Sequence, residues 1–292
     1  MKDISILIPT YNDPCLKLVE DLQRQAAALP ISYEIIVADD GSTDQQVVVT
    51  NRAIGNIDNC RFVERGVNSG RAAIRNFLAS EARYDHLLFI DSDMVVCRTD
   101  FLHRYAQSTG DVAYGGVIIG NTVKGNLRSM YEKAHEHEHT VERRQSSPYQ
   151  DFHTANFLIR RDIMLAHPFD SRFRHYGYED VLFGKELELH HTTIVHIDNP
   201  LSFEIFESNA DFVSKTEEGL RTLYTFRDEL QDHSHLLAIT RRLSALVPLI
   251  RFAHRMCGPL ERRLLTGRHP SLLVFNLYRM GYFLSLSAQA ER

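Results

Sequence analysis

The chain has 292 residues, 43% hydrophobic and 24% charged, with a formal net charge of −5; these are ordinary globular values and exclude a disordered or fibrous chain. Its four cysteines, Cys15, Cys60, Cys97 and Cys257, include no C-x-x-C pair, which excludes a disulfide framework and a zinc ribbon and predicts a reducing, cytosolic setting. Residues 241–292 carry nine Arg and no Lys against Glu261 and Glu291, a net +7 that leaves −12 on the first 240 residues; so acidic a body excludes a nucleic-acid partner, while the basic, apolar tail predicts one of its own.

Ile4–Ile8 is predicted as a buried strand, entered without a basic n-region or an apolar h-region, so no signal peptide is expected. Leu16–Leu29 reads as a helix, Tyr33–Ala38 as a strand, Gln45–Ile54 as a short helix, Arg61–Glu64 as a strand, Arg71–Ala82 as a helix and His86–Ile90 as a strand. This alternation predicts an α/β fold whose mostly parallel central sheet is flanked by helices. Further on, Phe101–Ser108 is predicted helical, Val112–Ile119 extended, Leu127–Arg144 a charged helix, Phe152–Ile159 a strand, Val181–Leu189 a helix, Thr192–Ile197 a strand and Asp211–Leu230 an amphipathic helix. The polar run Asp232–His235 marks a boundary between a body, 1–231, and a helical basic extension, 232–292. Within the body, 1–98 is expected to bind nucleotide and 99–231 the acceptor.

Asp91-Ser92-Asp93 follows the apolar strand His86–Ile90. Two carboxylates two residues apart in extended chain project to one side, and at a strand's C-terminal end they enter the crevice where open α/β sheets bind ligands. Hard oxygen donors there suit Mg²⁺ or Mn²⁺, which would hold a diphosphate. Pro9-Thr10-Tyr11-Asn12 follows the first strand and Asp39-Asp40-Gly41-Ser42-Thr43-Asp44 the second, so both turns face the same crevice; Ser42 or Asp44 can cap the next helix. The run His135-Glu136-His137-Glu138-His139 has His at i, i+4 but is not H-E-x-x-H, and it reads as a solvated helix face.

Taken together with Gly177-Tyr178-Glu179-Asp180, these segments resemble the family 2 glycosyltransferases, inverting enzymes of the nucleotide-sugar-binding (GT-A) fold. The resemblance runs from about residue 3 to about residue 225. It implies that Pro9, Thr10, Tyr11, Arg71, Asp91 and Ser92 bind the nucleotide, with Asp39 and Asp40 on the base and ribose, which suits a UDP-sugar. Asp93 is implied as the direct metal ligand, with Asp91 on the ribose or a metal-bound water. Asp180 is implied as the general base, and Glu179 beside it is a second catalytic candidate or a first-turn acid favoured by the helix dipole. Gly115, Gly116, Asn156 and Tyr178 are expected around the sugar and acceptor. Asn68–Asn76 resembles the family's N-x-G-x-x-x-A-R-N stretch, with Arg75 and Asn76 as readily structural. The third metal ligand of many relatives, a histidine after a proline, falls near Phe203, so His196 is the substitute candidate.

The implied activity is transfer of a hexosyl or N-acetylhexosaminyl group from a nucleotide-diphosphate sugar to a hydroxyl of a glycan or lipid-linked acceptor. A rival from another class is a haloacid-dehalogenase-like phosphatase, with Asp91 as nucleophile and Asp93 as acid, since Leu88–Val95 fits its D-x-D strand. The apolar clusters of the extension are too short to span a bilayer. They predict either contact with an anionic inner-leaflet surface or packing on the body or a second subunit.

Overall fold

The computed structural model describes residues 1–290; Glu291 and Arg292 of the expected extension lie outside them. The main sheet has seven strands in the order β3-β2-β1-β4-β8-β6-β9. They are β1 (Asp3–Thr10), β2 (Ser32–Asp39), β3 (Cys60–Glu64), β4 (His86–Ile90), β6 (Val112–Tyr114), β8 (Asn156–Arg160) and β9 (Ile194–His196). β1 pairs in parallel with β2 and β4, and β3 with β2; β8 runs antiparallel to both β4 and β6. A small second sheet joins β5 (Met94–Val95), β10 (Leu201–Phe203) and β7 (Val117–Ile119).

Period-two alternation explains the layers. Leu7, Ile36, Leu87 and Phe89 meet Ala72, Leu78 and Ala79 of the helix Arg71–Glu81 on one face. Ile4, Ile6, Ile8, Ile35 and Val37 meet Leu18, Val19 and Leu22 of the helix Leu16–Ala27 on the other. Asp44 caps the helix Gln45–Arg52, accepting from the N–H groups of Gln46 and Val47.

Several predicted elements change their bounds. Val112–Ile119 is two strands in different sheets, parted at Gly115-Gly116. Leu127–Arg144 breaks after His135, and a new helix, Val141–Ser146, starts where the Thr140 side chain accepts from Arg143 N. Asp211–Leu230 begins earlier, at Asn209 under a Ser208 cap, and ends its first helix at Thr225. The strand predicted over Phe152–Ile159 is β8, Asn156–Arg160.

The extension forms the helices His235–Arg242, Val247–Leu265 and Leu272–Ala290. It has no core of its own among the described residues. Leu265, Phe275 and Tyr278 pack with Leu127, Phe212 and Val213, while Phe283, Leu284 and Leu286 join the main cluster. No helix of the described residues is long and apolar enough to cross a membrane.

Candidate active site

The chain steps outward from β1 to β2 and β3, then returns to β4 on the other side of β1. Ligands bind at such a switch point, outside the carboxyl ends of the strands. A crevice of about 480 Å³ opens there, with Pro9 and Thr10 at the end of β1, Tyr11 and Asp13 after it, and Asp91, Ser92 and Asp93 after β4. Its other walls come from the helix Arg71–Glu81 and from Arg128, Arg174, Tyr176, Glu207 and Lys215.

Three carboxylates crowd the floor. Ser92 Oγ donates to Asp13 Oδ2 at 3.1 Å. Burial pushes the Asp13 carboxyl up. Burial, then the charges of Asp91 and Asp13, push Asp93 up to about 6, Arg71 opposing. No hydrogen bond or ion pair of Asp93 occurs among the described residues, so its oxygens stand ready for a ligand. Asp91 is held by Arg75, whose Nη2 lies 2.6 Å from its Oδ1. These are hard oxygen donors of the type that Mg²⁺ and Mn²⁺ prefer. No three His, Cys, Asp or Glu side chains of the described residues could hold an ion by themselves. Asp93 and Asp91 are the two carboxylates of the crevice that an ion brought in by a ligand could meet.

Arg75, 1% exposed, is the hinge pin of the site: it bonds Asp91 on one side and Glu179 Oε1 on the other, at 3.3 Å. Asn76 accepts from Phe169 N and donates to Phe169 O, closing the neighbouring loop. Arg71, half exposed, stacks over Tyr176 at 5.0 Å and stands 3.9 Å from Asp91. The helix Glu179–Leu189 starts two residues earlier than predicted because Gly177 and Tyr178 are both left-handed, φ 93° and 68°. For a tyrosine that conformation costs about 1–3 kcal/mol. As the first two residues of the helix, Glu179 and Asp180 meet different partners. Glu179 is buried against Arg75, its carboxyl raised by burial and by Asp180. It therefore orders the crevice wall rather than meeting a substrate. Asp180 Oδ2 instead meets His153 Nδ1 at 3.2 Å. Burial raises the Asp180 carboxyl, but the His153 bond and charge, the Val181 N–H and Arg75 outweigh it and hold it below the usual range.

Several expected contacts are spent within the protein. Asp40 lines the crevice but is saturated by Ser69 N, Ser69 Oγ, Gly70 N and Arg65 Nη1. Asp39, 3% exposed, bonds the backbone and hydroxyl of Ser42. Both carboxylates shape loops, leaving Tyr11, 42% exposed, as the free surface at that end. Gly115, Gly116 and Asn156 are also structural. Asn156 is buried and donates to Gly116 O and Asn199 O, and a Cβ on Gly115 would lie 2.4 Å from Asn199 O. Tyr178 packs on the core and Gly219. None of these four lines the crevice. His196 is no metal ligand, since its Nδ1 accepts from Arg144 and its Nε2 donates to Pro148 O. Burial holds it neutral, with its pKa lowered to about 4. At the position where relatives carry histidine, the Phe203 ring lies 4.4 Å from the Arg128 guanidinium.

Sequence reasoning missed Asp13, Arg128, Arg174, Lys215 and His153. Only Asp13 carried a signal, being the end of the Pro9–Asp13 turn; the others reach the site from distant segments. The phosphatase alternative is not supported, because Arg75 holds Asp91 and β4 is an interior strand of a nucleotide-type sheet.

The chain is 32% identical over 136 residues to a poly(ribitol-phosphate) beta-glucosyltransferase of Bacillus spizizenii, covering 44% of this chain and 21% of that protein. It is 26% identical over 183 residues to a teichoic acid poly(glycerol phosphate) polymerase of Staphylococcus epidermidis, covering 57% and 23%. The chain thus spans less than a quarter of the length of these relatives. In fold it is similar to a mannosyltransferase of Pyrobaculum calidifontis solved with GDP-Man and Mn²⁺, with a TM-score of 0.56, 15% identity and coverage of 98% and 86%. The sheet, its switch-point crevice and this likeness make the architecture a GT-A fold. Because the Glycosyl transferase family 2 model matches residues 5–166, more than half of the 292, and the segments Pro9–Tyr11 and Asp91–Asp93 within that match line the crevice just described, this chain belongs to glycosyl transferase family 2.

Proposed function

We propose that the protein transfers a hexosyl or N-acetylhexosaminyl group from a nucleotide-diphosphate sugar, by preference a UDP-sugar, to a hydroxyl of a glycan or lipid-linked acceptor. The observation that carries this reading is the pairing of an unspent Asp93 with the cations Arg71, Arg128 and Lys215 around one crevice. Its volume lies in the range of about 300–1,000 Å³ typical of small-molecule sites. Tyr11 offers a ring face to the base. Arg71 and Lys215 neutralise the diphosphate, and Arg128, braced on Phe203 and Glu207, fixes the geometry of the far wall. A bound Mn²⁺ or Mg²⁺, held by Asp93 and Asp91, would act as a Lewis acid on the departing diphosphate. Asp180 serves the removal of the acceptor proton in a single, inverting displacement. The relatives that act on polyol-phosphate polymers make such a glycan one acceptor to test.

The same reading places the enzyme on the inner, anionic leaflet of a membrane. What supports it is an apolar stripe along one side of Val247–Leu265, where Leu249, Phe252, Met256 and Leu260 are each at least 60% exposed. Arg255 and Arg263 are exposed on the same helix and Arg268 just after it. That is the composition of a helix lying in a lipid interface.

The test is a thermal-shift panel of UDP-glucose, UDP-N-acetylglucosamine and GDP-mannose with Mn²⁺, followed by NMR of the product formed from the stabilising donor. A UDP-sugar should raise Tm and give a product of inverted anomeric configuration. A retained configuration, or no stabilisation by any nucleotide sugar, would sink the reading.

A further inference from the structure

Asp180 does not stand alone. Its Oδ2 lies 3.2 Å from His153 Nδ1, and the His153 side chain, 41% exposed, is the more open of the two, against 23% for Asp180. The other nitrogen, Nε2, makes no hydrogen bond among the described residues. The ring is fixed edge-on by its neighbours Tyr114, at 6.2 Å between centroids, and His139, at 5.8 Å. An imidazole bonded by one nitrogen to a part-buried carboxylate and open at the other is an arrangement for taking up a proton.

We propose that His153 Nε2 receives the proton of the acceptor hydroxyl, while Asp180 holds the Nδ1–H tautomer and stabilises the imidazolium that forms. This rests on the glycosyl-transfer reading above and deepens its base step. The acceptor O–H breaks with its proton moving to Nε2. The oxygen's electron pair forms the new bond to the anomeric carbon, and the old carbon–oxygen bond breaks with its pair leaving on the nucleoside diphosphate. The imidazolium then returns its proton to water.

The surroundings agree. Burial lowers the basicity of His153, but the bond and charge of Asp180 and the charges of Asp151 and Glu132 outweigh it and raise its pKa above 6.5. His139, pushed down to about 4 by burial and by His153 itself, faces it as a neutral ring, and so does His196. A base is most effective when its pKa lies near the working pH, and a carboxylate held below its usual range is poorly matched to that task.

His153→Asn separates the two roles available to this histidine. Asparagine Nδ2 can still donate to Asp180, as Nδ1 does, but has no basic nitrogen in place of Nε2. The assay is UDP release from the donor chosen by the panel, with water as acceptor, together with UDP affinity and Tm as checks of the fold. We expect His153→Asn and His153→Ala to lose about 10²–10⁴ in kcat alike, with UDP affinity kept. The wild-type rate should fall as pH drops through an inflection above 6.5 that both variants lack. The ring signal of His153, followed by NMR in the full chain, should titrate above 6.5 and shift down in Asp180→Asn. If His153→Asn stays within about fivefold of wild type, or the ring titrates below 6.5, the inference fails while Asp180 can still serve as base. An Asp180→Asn variant with unchanged kcat would instead remove Asp180 from the base step, and no UDP release from any nucleotide sugar by the wild type would defeat the proposed function itself.

Discussion

Replacing Arg75 by methionine should strike both halves of the site at once. The guanidinium is buried and is the direct ion-pair partner of Asp91 at 2.6 Å and of Glu179 at 3.3 Å, with only 16% and 4% of their side chains exposed. Methionine fills much of the volume but leaves the two carboxylates with only Arg71, 3.9 Å from Asp91 and 4.0 Å from Glu179, as a cation nearby. Removing one partner of a buried ion pair costs about 3–5 kcal/mol, most of it the uncompensated charge left behind. At about 2–4 °C per kcal/mol for a chain of this size, thermal unfolding should move down by roughly 6–20 °C. The charge account makes a second demand. Glu179 already has a raised carboxyl, and without Arg75 it rises further, so the folded state binds a proton that the unfolded state releases. Stability of the variant should then recover as pH falls from 7 toward 5, and Arg75→Met with Glu179→Gln should regain most of the loss at pH 7. Calorimetry across that range checks both points. An Arg75→Met protein that melts within 2 °C of wild type (~0.5–1 kcal/mol) would show that the bridge contributes nothing.

Asp93→Ala should keep the fold and lose Mn²⁺-dependent UDP binding by calorimetry; UDP affinity equal to wild type in Mn²⁺ would remove Asp93 from the site. Because burial and like charge raise the Asp93 carboxyl, Asp93→Asn should also melt higher than wild type in EDTA at pH 7, and a lower Tm would contradict that electrostatic account. Asp180→Asn should retain UDP affinity and lose about 10²–10⁴ in turnover, with unchanged kcat ruling it out. Leu249→Glu, Phe252→Glu and Met256→Glu together should leave Tm unchanged, since all three are exposed, and abolish sedimentation with phosphatidylserine vesicles at low salt. Wild-type protein that ignores such vesicles would refute the interfacial role.

The parallel half of the sheet was legible because its signals are local. Apolar alternation in Ile4–Ile8 and His86–Ile90 fixes strands, and the polar turns after them must lie at their carboxyl ends. The carboxylate roles were less so. Asp39-Asp40 and Asp91-Ser92-Asp93 look alike as text, yet Asp40 meets four donors and Asp93 none, and donors such as Arg65 and Ser69 reveal nothing of their reach in sequence. Glu179 and Asp180 were adjacent candidates, and only their distant partners, Arg75 for one and His153 for the other, tell them apart. His153 sits 27 residues from Asp180, on a segment read as a strand but irregular up to Asn156, and no periodicity marks it. Gly115 and Gly116 were read for substrate because they follow the D-x-D, whereas close packing against Asn199 and Arg144 is what demands them.

The helix Asn209–Thr225 is shared between the crevice and the extension. Lys215 and Glu218 face the crevice, while Glu217 takes the Tyr278 hydroxyl at 2.6 Å and Arg262 at 2.8 Å from the last two helices. Seventeen residues make a rod of about 25 Å, stiff on the scale of a sugar ring. Whatever load the terminal hairpin bears is transmitted through that rod to the wall that meets the donor. Anchorage and substrate grip therefore share one mechanical part, and a crosslink between the terminal hairpin and its support would stiffen the mouth of the crevice without touching a single residue inside it.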